Sequence, residues 1–227
     1  MVSLGCAAVF FVGIHVLIAG TSLRRVLAAR LGEGGFQGVF SLLSLGGITW
    51  LCMAYGAAPT IEVWGPMDGF RPVALALMVV AALLAVIGLT TPSPTAAGGE
   101  TQLDADEPAT GILRISRHPF LWGVVTWAAT HLVLNGDAAS LVLFGALLVL
   151  ALVGPRSIDA KRRARFGDKW DRFAAVTSNV PFGAILAGRN QLHLSEIGTW
   201  RIVLAFAVYA GVLGVHAWLF GDSPFPL

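Results

Sequence analysis

From Val73 to Leu89 every residue is apolar or glycine. A helix of about 20 such residues crosses the hydrocarbon core of a bilayer with its backbone groups bonded internally, so this one stretch already commits the chain to lipid. Segments approaching that length recur at residues 2–20, 38–57, 71–90, 119–135, 138–155 and 200–220. Only 12% of the 227 residues are charged, about half the share of a soluble domain, and mean hydropathy is +0.76. The expected fold is therefore all-α: a polytopic membrane helical bundle of about six transmembrane helices. Only Asn135, Gly136 and Asp137 separate the fourth and fifth segments, which predicts a tight helical hairpin.

Basic residues orient the bundle. Arg24, Arg25 and Arg30 follow the first span, Arg114 and Arg117 precede the fourth, and a basic run from Arg156 to Arg189 lies between the fifth and sixth. The opposite loops are poor in Lys and Arg. The basic loops are therefore expected in the cytoplasm, with both termini periplasmic, in a bacterial inner (plasma) membrane. Residues 1–19 lack the basic start and small-residue cleavage site of a secretory signal, and are read as a retained first span. A net charge of +2 is too small to indicate nucleic acid, so the lipid bilayer is the first expected partner. Cys6 and Cys52 lie in apolar stretches without metal-ligand spacing and read as small core residues.

Composition divides the chain into an N-terminal three-span half at 1–90, a mobile linker at 91–110 rich in Pro, Ser, Thr, Ala and Gly, and a C-terminal half at 111–227. Within the last part, residues 157–177 form an amphipathic stretch in which Phe166, Trp170 and Phe173 fall at i, i+4 and i+7. That stretch is expected at the cytoplasmic interface, its aromatic side in the headgroups or on the bundle.

The chemistry concentrates in GILRISRHPFLWG. Pro119 suits the first position of a helix, which places Arg117 and His118 beside unpaired N–H groups at the positive end of its dipole, an anion pocket at the water side of the bilayer. Histidines within spans are candidates for function. By residue counting, His15 lies about 8 Å from the cytoplasmic end, while His131 and His216 lie about 18 Å and 24 Å from it. Depth therefore pairs His15 with His118, and also His131 with His216, as two-point ligands of a haem iron. Arg117 and Arg24 could neutralise its propionates. A structural role, with each ring closing polar contacts inside the bundle, stands beside this reading, and His193 falls in a loop.

Taken together, FVGIHVLIAGTSLRRVLAARLGEGG, RHPFLWG, HLVLNGDAASLVLFG and SIDAKRRARFGDKWDRFAAVTSNVPF resemble the NnrU family of bacterial inner-membrane proteins over nearly the whole chain. The resemblance implies an association with denitrification, through production of nitrite and nitric oxide reductases. It also implies kinship with a plant b-haem isomerase, and hence haem b ligated by His15 and His118, with nitric oxide or a hydrophobic small molecule as partner. Where the plant protein carries an alternative Cys ligand just before RHP, this chain has Arg114, Ile115 and Ser116. RHPFLWG followed by Asp159, Phe166-Gly167, Trp170 and Phe173 is also similar to membrane methyltransferases of the isoprenylcysteine carboxyl methyltransferase type. That similarity would place S-adenosylmethionine near Arg117, His118, Trp122 and Asp159. A non-enzymatic accessory role with a membrane-protein partner is the third reading.

Overall fold

The computed structural model describes residues 1–96 and 98–225. Its order is α1 (Val2–Gly13, continued by a π-helical turn Ile14–Ala19), α2 (Leu23–Gly56), α3 (Arg71–Thr90), α4 (Ile112–Ile115), α5 (Pro119–Asn135), α6 (Ala138–Phe166), α7 (Asp168–Val176), α8 (Gly183–Leu186) and α9 (Thr199–Phe220). Among the described residues no strand forms, and five helical segments are long and apolar enough to span a bilayer: Val2–Ala19, Leu23–Gly56, Asp68–Thr90, Ala138–Phe166 and Thr199–Phe220. The remaining expected span, α5, has 17 residues, about 26 Å of helix against a hydrocarbon core of about 30 Å.

Two elements run past their sequence-expected limits. The second helix begins at Leu23 rather than 38, because Leu, Arg and Ala favour helix well before the apolar run starts. It breaks at Gly32, whose φ of 75° and ψ of 159° suit a residue without Cβ. The amphipathic stretch at 157–177 is not one helix: α6 ends at Phe166, Gly167 turns with φ 49°, and α7 begins at Asp168. Trp170 and Phe173 are buried with Leu103, Ile112, Leu113 and Ile197, so those aromatics belong to a protein core rather than to headgroups.

The chain forms two compact units: Met1–Met67 with His131–Leu150, and Asp68–Thr130 with the chain from Ala151 on. Packing thus divides α5 and α6 between units, a boundary different from the one that composition suggests at residue 90. In the first unit α1 lies along α2, where Gly47 sits beneath the Phe10 and Phe11 rings; a Cβ there would meet both at 3.1 Å. The hairpin turn is as tight as expected. Gly136 takes φ 62°, and its carbonyl accepts N–H groups from Val63 at 2.8 Å and Trp64 at 3.1 Å. Asp137 caps α6 by accepting from the Ala139 and Ser140 N–H groups, both at 2.9 Å. Tyr55 and Asn135 meet the Ser140 hydroxyl at 3.0 Å each.

In the second unit α3 and α9 run antiparallel. Tyr209 donates to the Leu75 carbonyl at 3.2 Å, and Arg201 to that of Thr90 at 3.3 Å. At the other end Arg71 pairs with Asp68 and Asp222 and donates to the Ser223 carbonyl. Gly123 lets α5 approach α3 backbone to backbone, since a Cβ there would meet Ala85 N at 2.8 Å, the close approach that small residues permit between membrane helices. The segment expected as a mobile linker is docked here. Its 3₁₀ turn Glu100–Asp104 buries Leu103 in the core, and Glu100 pairs with Arg162 at 2.6 Å. Arg162 also draws the Glu100 carboxyl below its usual range, burial opposing. One leucine in a polar segment is too small a pattern to signal burial in advance.

Candidate functional site

The second unit assembles its site around the start of α5. Ser116 is extended; its hydroxyl donates to the Asn179 carbonyl at 2.7 Å and accepts the His118 N–H at 3.1 Å, which sets the chain up for Pro119. Arg117 Nε donates to one oxygen of Asp159 at 2.9 Å, and His118 Nε2 lies 2.7 Å from the other. At this helix start the Arg117 and His118 side chains hold the chain's own Asp159, supplied by α6, with no backbone N–H among the described residues donating to it. Arg117 also reaches the Thr177 carbonyl at 3.3 Å, and its own carbonyl accepts from Thr95 at 3.0 Å. Trp122 donates from Nε1 to the Asn179 carbonyl at 2.7 Å. The result is a bonded cluster in which His118 is only 3% exposed. Among the described residues its Nδ1 has no hydrogen-bond partner.

Four residues upstream lies a hub that sequence reading treats only as flanking charge. Arg114 is 9% exposed. Its guanidinium forks onto Glu196 at 2.7 and 2.8 Å, and also reaches Glu107 and Asn190 at 2.7 Å each. The Gly111 N–H completes the ring by donating to Glu196 at 2.8 Å. The Arg114 hydrogen bonds hold the Glu196 carboxyl below its usual range against the opposing effect of burial, with Gly111 adding to them. Glu196 in turn raises the Arg114 pKa, again against burial. The signal in the sequence was Arg114 itself: a cation among Ile112, Leu113 and Ile115 must find partners when they are buried.

In the first unit His15 stands on the π-helical turn that closes the first span, a distortion that often marks functional positions. Its Nδ1 lies 2.7 Å from the Phe11 carbonyl, to which it can donate, while Nε2 has no hydrogen-bond partner among the described residues. The ring lies between Phe11 and Phe40, at centroid distances of 4.5 and 5.2 Å. Phe40 stacks on Phe36, and Arg24 covers Phe36 at 5.2 Å while pairing with Glu33. An open apolar groove of about 510 Å³, lined by Ala8, Val9, Val12, Gly145 and Val149 among others, runs along the same helix.

The two depth-matched pairs each divide between units. His131 stacks on Phe144 at 4.8 Å. His216 Nδ1 lies 2.9 Å from the Asp222 carbonyl, with the Phe220 ring 4.9 Å away. Among the described residues no three His, Cys, Asp or Glu side chains converge as a multidentate metal cage requires. A porphyrin iron asks less of the protein, one or two ring nitrogens. As for a methyl-donor pocket, both oxygens of Asp159 are already engaged, leaving no open carboxylate at the expected position.

Fold and site together define a polytopic all-α membrane protein whose RHP helix start is locked to a carboxylate of the following helix. Residues 3–224 match the family model described as NnrU protein, and the chain belongs to the NnrU family. It is 34% identical over 83 residues to the chloroplastic 15-cis-zeta-carotene isomerase of Zea mays, a match covering 37% of this chain and 23% of that protein. The enzyme of the same name from Arabidopsis thaliana is 32% identical over 117 residues, 50% of this chain and 32% of the relative. The chain thus spans about a quarter to a third of the length of the curated relatives it matches. No solved structure matches it.

Proposed function

We propose that this protein is a haem-dependent, isomerase-like membrane protein that acts on an apolar polyene, with His15 and His118 as the ligands of one b-type haem. The observation that carries the reading is the preparation of His15. Its Nδ1 is placed to donate to a backbone carbonyl, which directs the lone pair to Nε2, the arrangement metal-bound histidines use. Aromatic rings flank it as a porphyrin would need. His118 supplies the complementary case, an imidazole held by a carboxylate at Nε2 with Nδ1 open for a ligand. Arg24 and Arg117 are the cations suited to propionates.

When bound, haem supplies an iron centre able to activate a double bond without net oxidation. The protein's own residues position that centre and exclude water. The names of the plant relatives support a cis-polyene substrate, and the apolar groove in the first unit suits the flat, featureless surface of such a molecule.

The test is an absorption spectrum of detergent-purified protein, oxidised and dithionite-reduced, with haem counted as the pyridine haemochrome. One haem per chain is expected in the wild type and in His193→Ala, with loss in His15→Ala and in His118→Ala. A haem-free wild type after expression with ample haem, or haem retained by both ligand variants, overturns the reading. The polyene is tested on the same sample by chromatography of geometric isomers. The denitrification link is tested by adding nitric oxide to the ferrous protein and looking for a shifted Soret band.

A further inference from the structure

Between α7 and α9 the chain makes an excursion whose first part is fastened to the RHP segment. Arg117 N–H donates to the Ser178 carbonyl at 2.9 Å and Phe182 N–H to that of Ile115 at 2.8 Å, while Ser116 and Trp122 both donate to the Asn179 carbonyl. Phe182 turns the chain in a left-handed conformation, φ 62°, and is the one non-glycine residue among those described with a positive φ. A bulky residue adopts that conformation where its surroundings impose it.

The tip so held is apolar, and it faces away from the protein. Val180 and Phe182 are exposed, Leu186 is 85% exposed and Leu194 66%, whereas Ala184 of α8 is buried. Water is a poor solvent for such a cluster. Its level in the fold says what covers it. Trp122 belongs to the first turn of α5, the Gly88 position near the end of α3 abuts Phe120, and Arg201 in the first turn of α9 bonds the carbonyl of Thr90. The ends of three apolar helices therefore lie in one layer, and Asn179 is bonded into it. Trp200, exposed at the start of α9, has the amphipathic ring that prefers the membrane boundary.

We propose that residues 180–186, together with Leu194, insert into the phospholipid interface as a monotopic anchor rooted on the RHP segment. The bilayer that covers the exposed faces of α3 and α9 continues under this tip, and the exposed Arg172 stands in the flanking chain as a partner for anionic headgroups, while Arg189 donates to the Ala175 and Thr177 carbonyls. The anchor holds the backbone to which Ser116, Arg117 and Trp122 bond. It stands independently of haem binding.

Nitroxide labels introduced by Leu186→Cys and separately Leu194→Cys, in the full chain with Cys6→Ser and Cys52→Ser, test the insertion. Asp168→Cys, at the exposed start of α7, is the aqueous reference. In nanodiscs of phosphatidylcholine with a minority of phosphatidylglycerol, the ratio of oxygen to nickel-chelate collision rates is expected to be about fivefold higher at 186 and 194 than at 168, as for side chains held below the headgroups. Equal ratios at the three sites would refute the anchor. Dipolar broadening between labels on different chains would also overturn it, by showing that a second copy covers the tip.

Discussion

His15 and His118 are each held through one ring nitrogen, by opposite means. The region around His15 uses a backbone carbonyl and aromatic rings, with Arg24 lying over the outer ring, Phe36. Around His118, Asp159 is shared with Arg117, and the Arg114–Glu196 pair lies just upstream. The contrast follows depth. Inside a span a backbone carbonyl is a partner already paid for by the helix, whereas at the boundary charged groups can be gathered if each finds its complement. One region should therefore respond to acid and to loss of a charge, and the other only to loss of shape.

The largest expected difference comes from Arg114→Ala, which leaves Glu196 beside an apolar core without its cation. Breaking such a pair costs about 3 kcal/mol, the low end for buried pairs because Glu196 keeps some exposure. Thermal unfolding in detergent should show it, and Arg114→Lys should recover only part because an ammonium cannot reproduce the fork. Next, Asp159→Asn removes the charge that Arg117 and His118 share. A loss of about 2 kcal/mol is expected from hydrogen bonds to a charged group, read in the same melt, together with faster proteolysis at residues 177–198. A melt unchanged in Asp159→Asn would erase the contrast between the two regions.

Acid should act more gently and in the same place. The native Glu196 and Glu100 carboxyls titrate below the ordinary value of 4.5, so each contributes stability that is present above that value and lost as pH falls through the lowered native one. Hydrogen exchange followed from neutral pH down through 4.5 is expected to show opening at 100–117 and 187–197 before any change in α1. The smallest effect on stability, compared between haem-free samples, is expected from His15→Phe, about 1 kcal/mol for a change of similar shape among aromatic neighbours. That same variant should hold no haem, which separates a ligand from a packing residue.

Much of the fold was legible because membrane crossing demands length, and length is visible in one dimension. The hairpin at Gly136 and the helix start at Pro119 followed from residues whose backbone preferences are strong. What escaped depends on partners far apart in sequence. Nothing about Glu196 announces that it will meet Arg114 across 82 residues, and no local pattern shows that Leu103 will be buried in a segment of linker composition. Within the site, the resemblance to membrane methyltransferases brought Asp159, Arg117 and His118 to one place. The supporting Asn179 and Thr177 could not be found that way, because they act through backbone carbonyls that every residue carries.

The α3–α9 pair has a consequence for where the protein can live. The two helices have 20 and 22 residues, about 30 and 33 Å of helix. Arg71 fastens one end of the pair to Asp222, and Arg201 fastens the other to Thr90. Helices so clasped cannot slide past each other to suit a thinner or thicker bilayer, so hydrophobic mismatch must be met by tilting the pair as a unit or by deforming the lipid. The two arginines thus turn α3 and α9 into a ruler, and make bilayer thickness a determinant of which membrane suits this protein.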